Sequence, residues 1–313
     1  MQKYSTLVKR ECWEHRTSFF TVPLLLILFV ALIVAFGEIN IGSFSPFGSR
    51  GNNETISIAQ IVANMGSDQD SAMRLNYILY LIGLPFFCIM LLLMNSYFLG
   101  SLRDDRKDKS IYFWNSMPVS HTETVLSKLF SGLVLIPIAT IIAVIVAQLL
   151  VIAIVYIRLL LNGDDASLFF GNVHIFEVWL AVGINYMAFA IGSLGMAGFL
   201  LLCSAYSLRP FLFSFLILIG LLVCEYLLTG QVNQIVMYAL VKAPIVTNHM
   251  FGNGLRDAFQ NSSTAGIDSI NISATLSQHA LSSLTKIHMW ATAAFGLLLI
   301  VAAINVRKYN SSE

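Results

Sequence analysis

The chain has 313 residues, of which 57% are hydrophobic and only 11% are charged, and its formal net charge is +1. Soluble domains carry about 25% charged residues, so this composition excludes a soluble globular protein and indicates an integral membrane protein. The chain has no basic cluster with interleaved aromatic residues, which argues against a nucleic-acid partner.

The first residues predict a short helix ahead of the first apolar run. Tyr4, Leu7, Val8 and Cys12 recur at helical spacing, and basic residues occupy the rest of the turn. We expect this N-terminal helix, residues 3–16, to lie in the cytoplasmic interface of the membrane. Cys12 and the other three cysteines show no CxxC spacing, so we predict no disulfide and no metal site.

Six apolar stretches are long enough to cross a hydrocarbon core, which needs about 20 apolar residues. The predicted fold class is therefore all-α: a polytopic membrane protein with a single transmembrane domain, residues 1–313. The predicted spans lie near 19–36, 77–100, 126–157, 175–206, 209–228 and 287–306. Only the stretch Ser207-Leu208-Arg209-Pro210 joins the fourth span to the fifth, which predicts a tight helical hairpin.

The distribution of basic residues predicts the orientation. If both termini are cytoplasmic, 12 of the 18 lysines and arginines face the inside, as the positive-inside rule favours. We therefore expect a multi-pass protein of the plasma membrane, the inner membrane of a bacterium, with both termini in the cytoplasm.

Two features of the spans concern bending and packing. Pro23, Pro85 and Pro137 interrupt the first three spans, where a proline removes one backbone hydrogen bond and kinks the helix, as a hinge or as a static bend. The fourth span is rich in small residues between Gly183 and Gly198, which lets another helix approach closely. This small-residue face packs either inside the bundle or between two copies of the chain.

The two outer loops, 37–76 and 229–286, contain apolar residues at helical spacing. These occur at 58–65, 232–240 and 276–284. We expect short amphipathic helices that cover the outer mouth of the bundle.

Three polar residues lie within predicted spans and are candidates for a translocation path: Glu225, Gln148 and Asn185. Buried carboxylates are costly in membranes and are often functional. Glu225 also lies near the outer end of its span, where it could simply reach water. Gln148 and Asn185 have the simpler interpretation of interhelical hydrogen bonds.

The densest run of charge follows the second span, in a cytoplasmic loop predicted at 101–125. Seven of the eight residues from Leu102 to Lys109 are charged, and Tyr112, Phe113 and Trp114 follow. A proline stop at Pro118 precedes Ser120-His-Thr-Glu123, a capping box that predicts a helix start at His121. The mixture of charge and aromatic anchors favours a docking surface for a protein partner.

These residues resemble the membrane subunits of ABC transporters of the type-2 export class. The resemblance rests on Asp105-Arg-Lys-Asp-Lys-Ser110, on Ser116-Met-Pro-Val-Ser120 and on Lys128, together with the topology of the whole chain. The family usually has Glu where Asp105 stands and Gly where Lys109 stands. Asp105 keeps the charge, whereas Lys109 lacks the freedom that Gly gives a tight turn.

The resemblance implies that residues 103–118 form a coupling helix that docks on a separate cytoplasmic ATPase. It implies two permease subunits, identical or homologous, with two ATPase subunits that hold ATP and Mg, and no cofactor on this chain. The implied coupling residues are Asp105, Arg106, Lys107, Ser110, Tyr112, Phe113, Trp114, Met117 and Pro118. The dry spans favour a hydrophobic or amphipathic cargo.

Other functions leave different signatures in a sequence. The chain contains no GxxxxGK[ST], HExxH or GxSxG motif, so we expect no catalysis by this chain. A membrane enzyme, such as an intramembrane protease or acyltransferase, needs paired polar groups at membrane depth, and Glu225 has no acidic neighbour in its span. A non-transporting sensor or scaffold predicts the same docking loop and stays open as the alternative to an exporter.

Overall fold

A computed structural model describes residues 2–36, 38–40, 55–57, 69–107, 120–162, 175–230, 240, 278, 281–282 and 284–310. Within these residues, six helices are long and apolar enough to cross a membrane: Thr17–Phe36, Ile82–Lys107, His121–Ile157, Ile175–Gly192, Pro210–Thr229 and Ile287–Tyr309. The prediction of an all-α polytopic membrane protein is confirmed. An apolar bilayer requires this outcome, because a helix satisfies its backbone hydrogen bonds internally.

The helices are numbered here in chain order. They are α1 (Gln2–Glu14), α2 (Val22–Phe36), α3 (Gln69–Lys107), α4 (His121–Phe130), α5 (Ile136–Asn162), α6 (Ile175–Gly192), α7 (Leu194–Tyr206), α8 (Pro210–Thr229) and α9 (Ile287–Asn310). Two three-residue strands, β1 (Glu38–Asn40) and β2 (Thr55–Ser57), pair antiparallel with Ile39 opposite Ile56. The sequence analysis did not predict this strand pair. The amphipathic helices predicted for the outer loops lie almost entirely outside the described residues.

Local sequence explains where several helices begin and end. The capping box predicted at the start of α4 is confirmed: the Glu123 amide donates to Ser120 Oγ at 3.2 Å, and the Ser120 amide donates to Glu123 Oε2 at 2.9 Å. Pro210 begins α8, where a missing N–H costs nothing. Gly230 ends α8 with φ of 69°, a left-handed conformation that favours glycine.

Two of the three predicted proline interruptions sit beside π-helical segments. Thr17–Thr21 and Ser131–Leu135 are π-helical, and Pro23 and Pro137 follow them by two residues. The wider π-turn gives room for a proline ring that would otherwise clash with the carbonyl four residues earlier. Pro85 lies inside α3.

The small-residue face of the fourth span packs inside the bundle, against α9. A Cβ added at Gly198 would lie 2.5 Å from the carbonyl oxygen of Gly296, and one added at Gly296 would lie 2.4 Å from the carbonyl oxygen of Leu194. The backbones of α7 and α9 therefore approach as closely as small residues allow.

Two of the predicted boundaries differ from the structure. Helix α3 starts at Gln69 and continues to Lys107, seven residues into the predicted loop 101–125. Basic residues in its last turn favour this extension, because they complement the helix dipole. The fourth span divides at Ser193 into α6 and α7, and the Ser193 hydroxyl donates to the carbonyl of Ala190 at 3.1 Å.

Candidate functional site

Four helix ends converge on a buried cluster of charged side chains. Glu11 comes from α1, Asp105 from the end of α3, Lys128 from α4 and Arg307 from the last turns of α9. Each is at most 5% exposed. Such residues are almost never fully buried unless they are paired, so their geometry must account for their burial. We call these four residues the charge cluster.

The charge cluster pairs two carboxylates with two cations. Lys128 Nζ lies 3.0 Å from Glu11 Oε1 and 3.5 Å from Asp105 Oδ1. Arg307 Nη2 lies 3.1 Å from Asp105 Oδ2. The buried hydroxyl of Tyr97 donates to Glu11 Oε2 at 2.8 Å. The cluster is neutral in sum, and one lysine bridges carboxylates that are 94 residues apart in the chain.

Helix α1 carries the edge of the charge cluster that faces solvent. Arg10 Nη2 lies 3.8 Å from Asp105 Oδ1, and Arg10 also pairs with Glu14 one turn further on. Beside these residues is an open cavity of about 520 Å³, lined by charged residues of α1 and α3 and by Lys128. Glu11, Glu14 and His15 bring potential metal-ligating atoms within 4.8 Å of one another. Ion pairing to Lys128 and Arg10 already accounts for the two glutamates.

Arg106 fixes the end of α3 to the end of α7. Its guanidinium donates to the carbonyls of Ser204 at 2.6 Å and Ser207 at 2.9 Å. These carbonyls lie at the C-terminus of α7, where a helix lacks internal donors and favours a cation. The Ser204 hydroxyl donates in turn to the carbonyl of Leu99 at 2.8 Å.

The predicted coupling residues therefore divide into three groups. Asp105 and Arg106 were predicted on a surface offered to a partner, but the structure places their side chains in contacts within the chain. The reason is that α3 continues past residue 101, so that Asp105 falls on the same buried face as Phe98 and Leu102. Lys107 is exposed. Six predicted coupling residues lie outside the described residues: Ser110, Tyr112, Phe113, Trp114, Met117 and Pro118.

Of the translocation-path candidates, Gln148 links three helices. Its amide donates to the carbonyl of Leu79 in α3 at 2.9 Å, and its Oε1 accepts from Trp179 Nε1 in α6 at 2.8 Å. Gln148 is 1% exposed. The interpretation of Gln148 as an interhelical hydrogen-bonding residue is confirmed.

Asn185 and Glu225 are also buried. The Asn185 amide donates to the carbonyl of Ala181 at 2.7 Å, one turn earlier in its own helix, so this bond is not the interhelical one we expected. Glu225 is 5% exposed on α8, a helix whose other residues are mostly open to lipid. Its burial within the protein disfavours the alternative that its carboxylate simply reaches water.

The sequence analysis did not select Glu11, Tyr97 or Arg307 as site residues. One signal was present in the first helix, because Glu11 follows Leu7 by one turn and so continues the apolar stripe of α1. A charged residue within a buried stripe requires a partner. No local pattern identifies Lys128 as that partner, because 117 residues separate the two side chains.

Comparison with known proteins found no family model, no curated protein and no solved structure that matches this chain. The functional argument therefore rests on the sequence and on the geometry described above.

Proposed function

We propose that the chain is the permease subunit of an ATP-driven exporter, with a separate cytoplasmic ATPase that binds the segment between α3 and α4. The observation that carries this proposal is the anchoring of that segment at both ends. Asp105 and Arg106 hold its start to four other helices, and the capping box and Lys128 fix its end. A force applied to the segment would therefore reach α1, α7 and α9.

The proposed assembly contains two permease subunits, identical or homologous, and two ATPase subunits that hold ATP and Mg. The chain itself binds no cofactor and catalyses no reaction. Its N- and C-terminal helices meet at the charge cluster, on the side that we assign to the cytoplasm because the Lys and Arg residues concentrate there. The membrane is the plasma membrane, the inner membrane of a bacterium.

The proposed cargo is hydrophobic or amphipathic. The candidate path residues Glu225, Gln148 and Asn185 are few, and the amides of Gln148 and Asn185 are hydrogen-bonded within the protein. A small ion would need a continuous row of polar ligands to replace its hydration shell.

The test is co-purification of the tagged chain from its native membrane in mild detergent, followed by mass spectrometry. We expect a stoichiometric ATPase with a phosphate-binding loop, and we expect Phe113→Ala and Trp114→Ala to reduce its recovery at least tenfold. Phe176→Ala is the matched control, since Phe176 is 82% exposed at the start of α6, far in sequence from the coupling segment. Unchanged recovery and unchanged ATPase stimulation in both variants would refute the docking proposal.

Transport must be measured separately. ATP-driven movement of an amphipathic dye in vesicles containing the complex supports an exporter. A stable complex in which ATP hydrolysis moves no compound would instead favour the alternative, a non-transporting sensor or scaffold that binds a cytoplasmic partner.

A further inference from the structure

One π-helical segment begins the first span and the other lies within the third, and a proline follows each after two residues. Thr17–Thr21 joins α1 to α2, and Ser131–Leu135 joins α4 to α5. The residue just before each proline closes a π-type hydrogen bond, which spans five residues. The Val22 amide donates to the carbonyl of Thr17, and the Ile136 amide donates to the carbonyl of Ser131. The proline that follows has no N–H to donate, so the helix lacks one backbone hydrogen bond at each of these two places and can bend there.

On one side of the π-helical segments, the helices are held by charge. Helices α1 and α4 contact each other through Glu11 and Lys128, and both contact the end of α3 through Asp105. Arg307 adds α9 to the same body. Separating these buried groups would strand an uncompensated charge, which is strongly destabilising. We call this set of helix ends the base.

On the other side, α2 and α5 pack against each other through apolar side chains. Leu26 of α2 lies in one cluster with Val144 and Ala147 of α5 and with Phe86 of α3, and Val34 lies in another with Val151 and Val155. Apolar packing therefore joins α2 to α5, which we treat as one arm, and Phe86 adds an apolar contact between this arm and α3.

The π-helical segments themselves rest against α3. Phe19 contacts Tyr97 edge to face, with ring centroids 6.2 Å apart. A Cβ added at Gly132 would lie 2.3 Å from Phe98 Cζ, so α3 meets the backbone of the second segment directly. Both π-helical segments therefore contact α3, at consecutive residues of that helix.

One set of polar contacts opposes movement of the arm. Gln148 of α5 donates to the carbonyl of Leu79 and accepts from Trp179, so it joins the arm to α3 and α6. It lies about 18 Å along α5 from Ile136, at 1.5 Å per residue. We call the Gln148 contacts the latch.

We propose that α2 and α5 swing as one arm about the paired π-helical segments, and that Gln148 latches the arm in the position described here. The hinge belongs to this chain and does not depend on the ATPase partner. A swing of 10° at Leu135 displaces Ile157 by about 6 Å, because the two residues are about 33 Å apart along the helix.

The test is pulsed electron–electron double resonance, which measures the distance between two spin labels, on the full chain in lipid nanodiscs with the four native cysteines replaced. One spin-label pair, at Ile157 and Ile287, spans the arm and α9. The control pair, at Leu32 and Ile157, lies within the arm. All three labelled positions are exposed: Ile157 to 55%, Ile287 to 77% and Leu32 to 47%.

We expect the distance distribution between Ile157 and Ile287 to be broader than that of the control pair, and Gln148→Leu to add a population displaced by about 6 Å. Equal widths for both pairs, in the native sequence and in Gln148→Leu, would overturn the hinge. The first comparison, between the two label pairs, uses only the chain that keeps Gln148, so its result does not depend on whether the Gln148→Leu variant folds. Because no ATPase is present, failure here leaves the proposed exporter untouched, and failure of ATPase recovery leaves the hinge untouched.

Discussion

Replacement of Lys128 by methionine tests the charge cluster most directly. Lys128 is 1% exposed, and its ammonium group lies 3.0 Å from one carboxylate and 3.5 Å from another. With an effective dielectric constant of about 20, a pair of unit charges at 3 Å attracts by about 5 kcal/mol. Desolvation offsets part of this, and measured losses on breaking a buried pair are about 3–5 kcal/mol. We expect Lys128→Met to lower the free energy of unfolding by that amount.

The measurement is equilibrium unfolding of the purified chain in mixed micelles with increasing SDS, followed by tryptophan fluorescence. Lys9→Met is the matched control, because it removes the same charge from an exposed position on α1, and surface substitutions change stability by about 0.5 kcal/mol or less.

A double-mutant cycle separates the charge pair from simple packing. We expect Lys128→Met with Glu11→Gln to be less destabilised than the sum of the single variants, since the double variant removes one charge of each sign. Additive losses, or a loss below about 1 kcal/mol for Lys128→Met alone, would contradict the assignment of Lys128 as the bridging cation.

Three further predictions address single contacts. Gly296→Ala places a Cβ 2.4 Å from a backbone oxygen of α7, so we expect a loss of about 1–3 kcal/mol in the same titration. Gly220→Ala is the control and should be near neutral, because its Cβ meets nothing within 4 Å. Ser120→Ala removes the side-chain cap of α4; we expect a loss of about 1 kcal/mol, and restoration by Ser120→Asp. Burial, and then the neighbouring Glu11, raise the pKa of the Cys12 thiol. Less thiolate is therefore present at neutral pH; we expect maleimide labelling of Cys12 to be slower than that of an exposed cysteine on α1, and to accelerate in Glu11→Gln.

More of the fold than of the candidate site could be predicted from the sequence. Apolar runs of about 20 residues indicate the number of spanning helices, because that is the length a helix needs to cross the hydrocarbon core with its backbone hydrogen bonds satisfied. The capping box at Ser120 is equally local, and it was predicted to the residue. Asp105 shows the limit: its role depends on α3 continuing to Lys107, and no apolar residue after Leu102 marks that continuation.

The partners of Glu11 lie beyond local reasoning for another reason. Its contacts Tyr97 and Lys128 are 86 and 117 residues away, and their meeting depends on how four helices pack at one end. The π-helical turns were also missed. Pro23 and Pro137 predict a kink, but whether the backbone avoids the proline ring by bending or by widening into a π-turn depends on packing neighbours, such as Phe98 beside Gly132.

In the exporter that we propose, the close approach of α7 to α9 limits where a cargo could leave the protein. Where Gly198 meets the carbonyl of Gly296 and Gly296 meets that of Leu194, the two backbones leave no room for a side chain that could rotate aside to form a gate. Opening this contact would separate the helices entirely and expose both backbones to lipid. An exit for the cargo would have to form between other helices, and α7 and α9 would stay together as it opens.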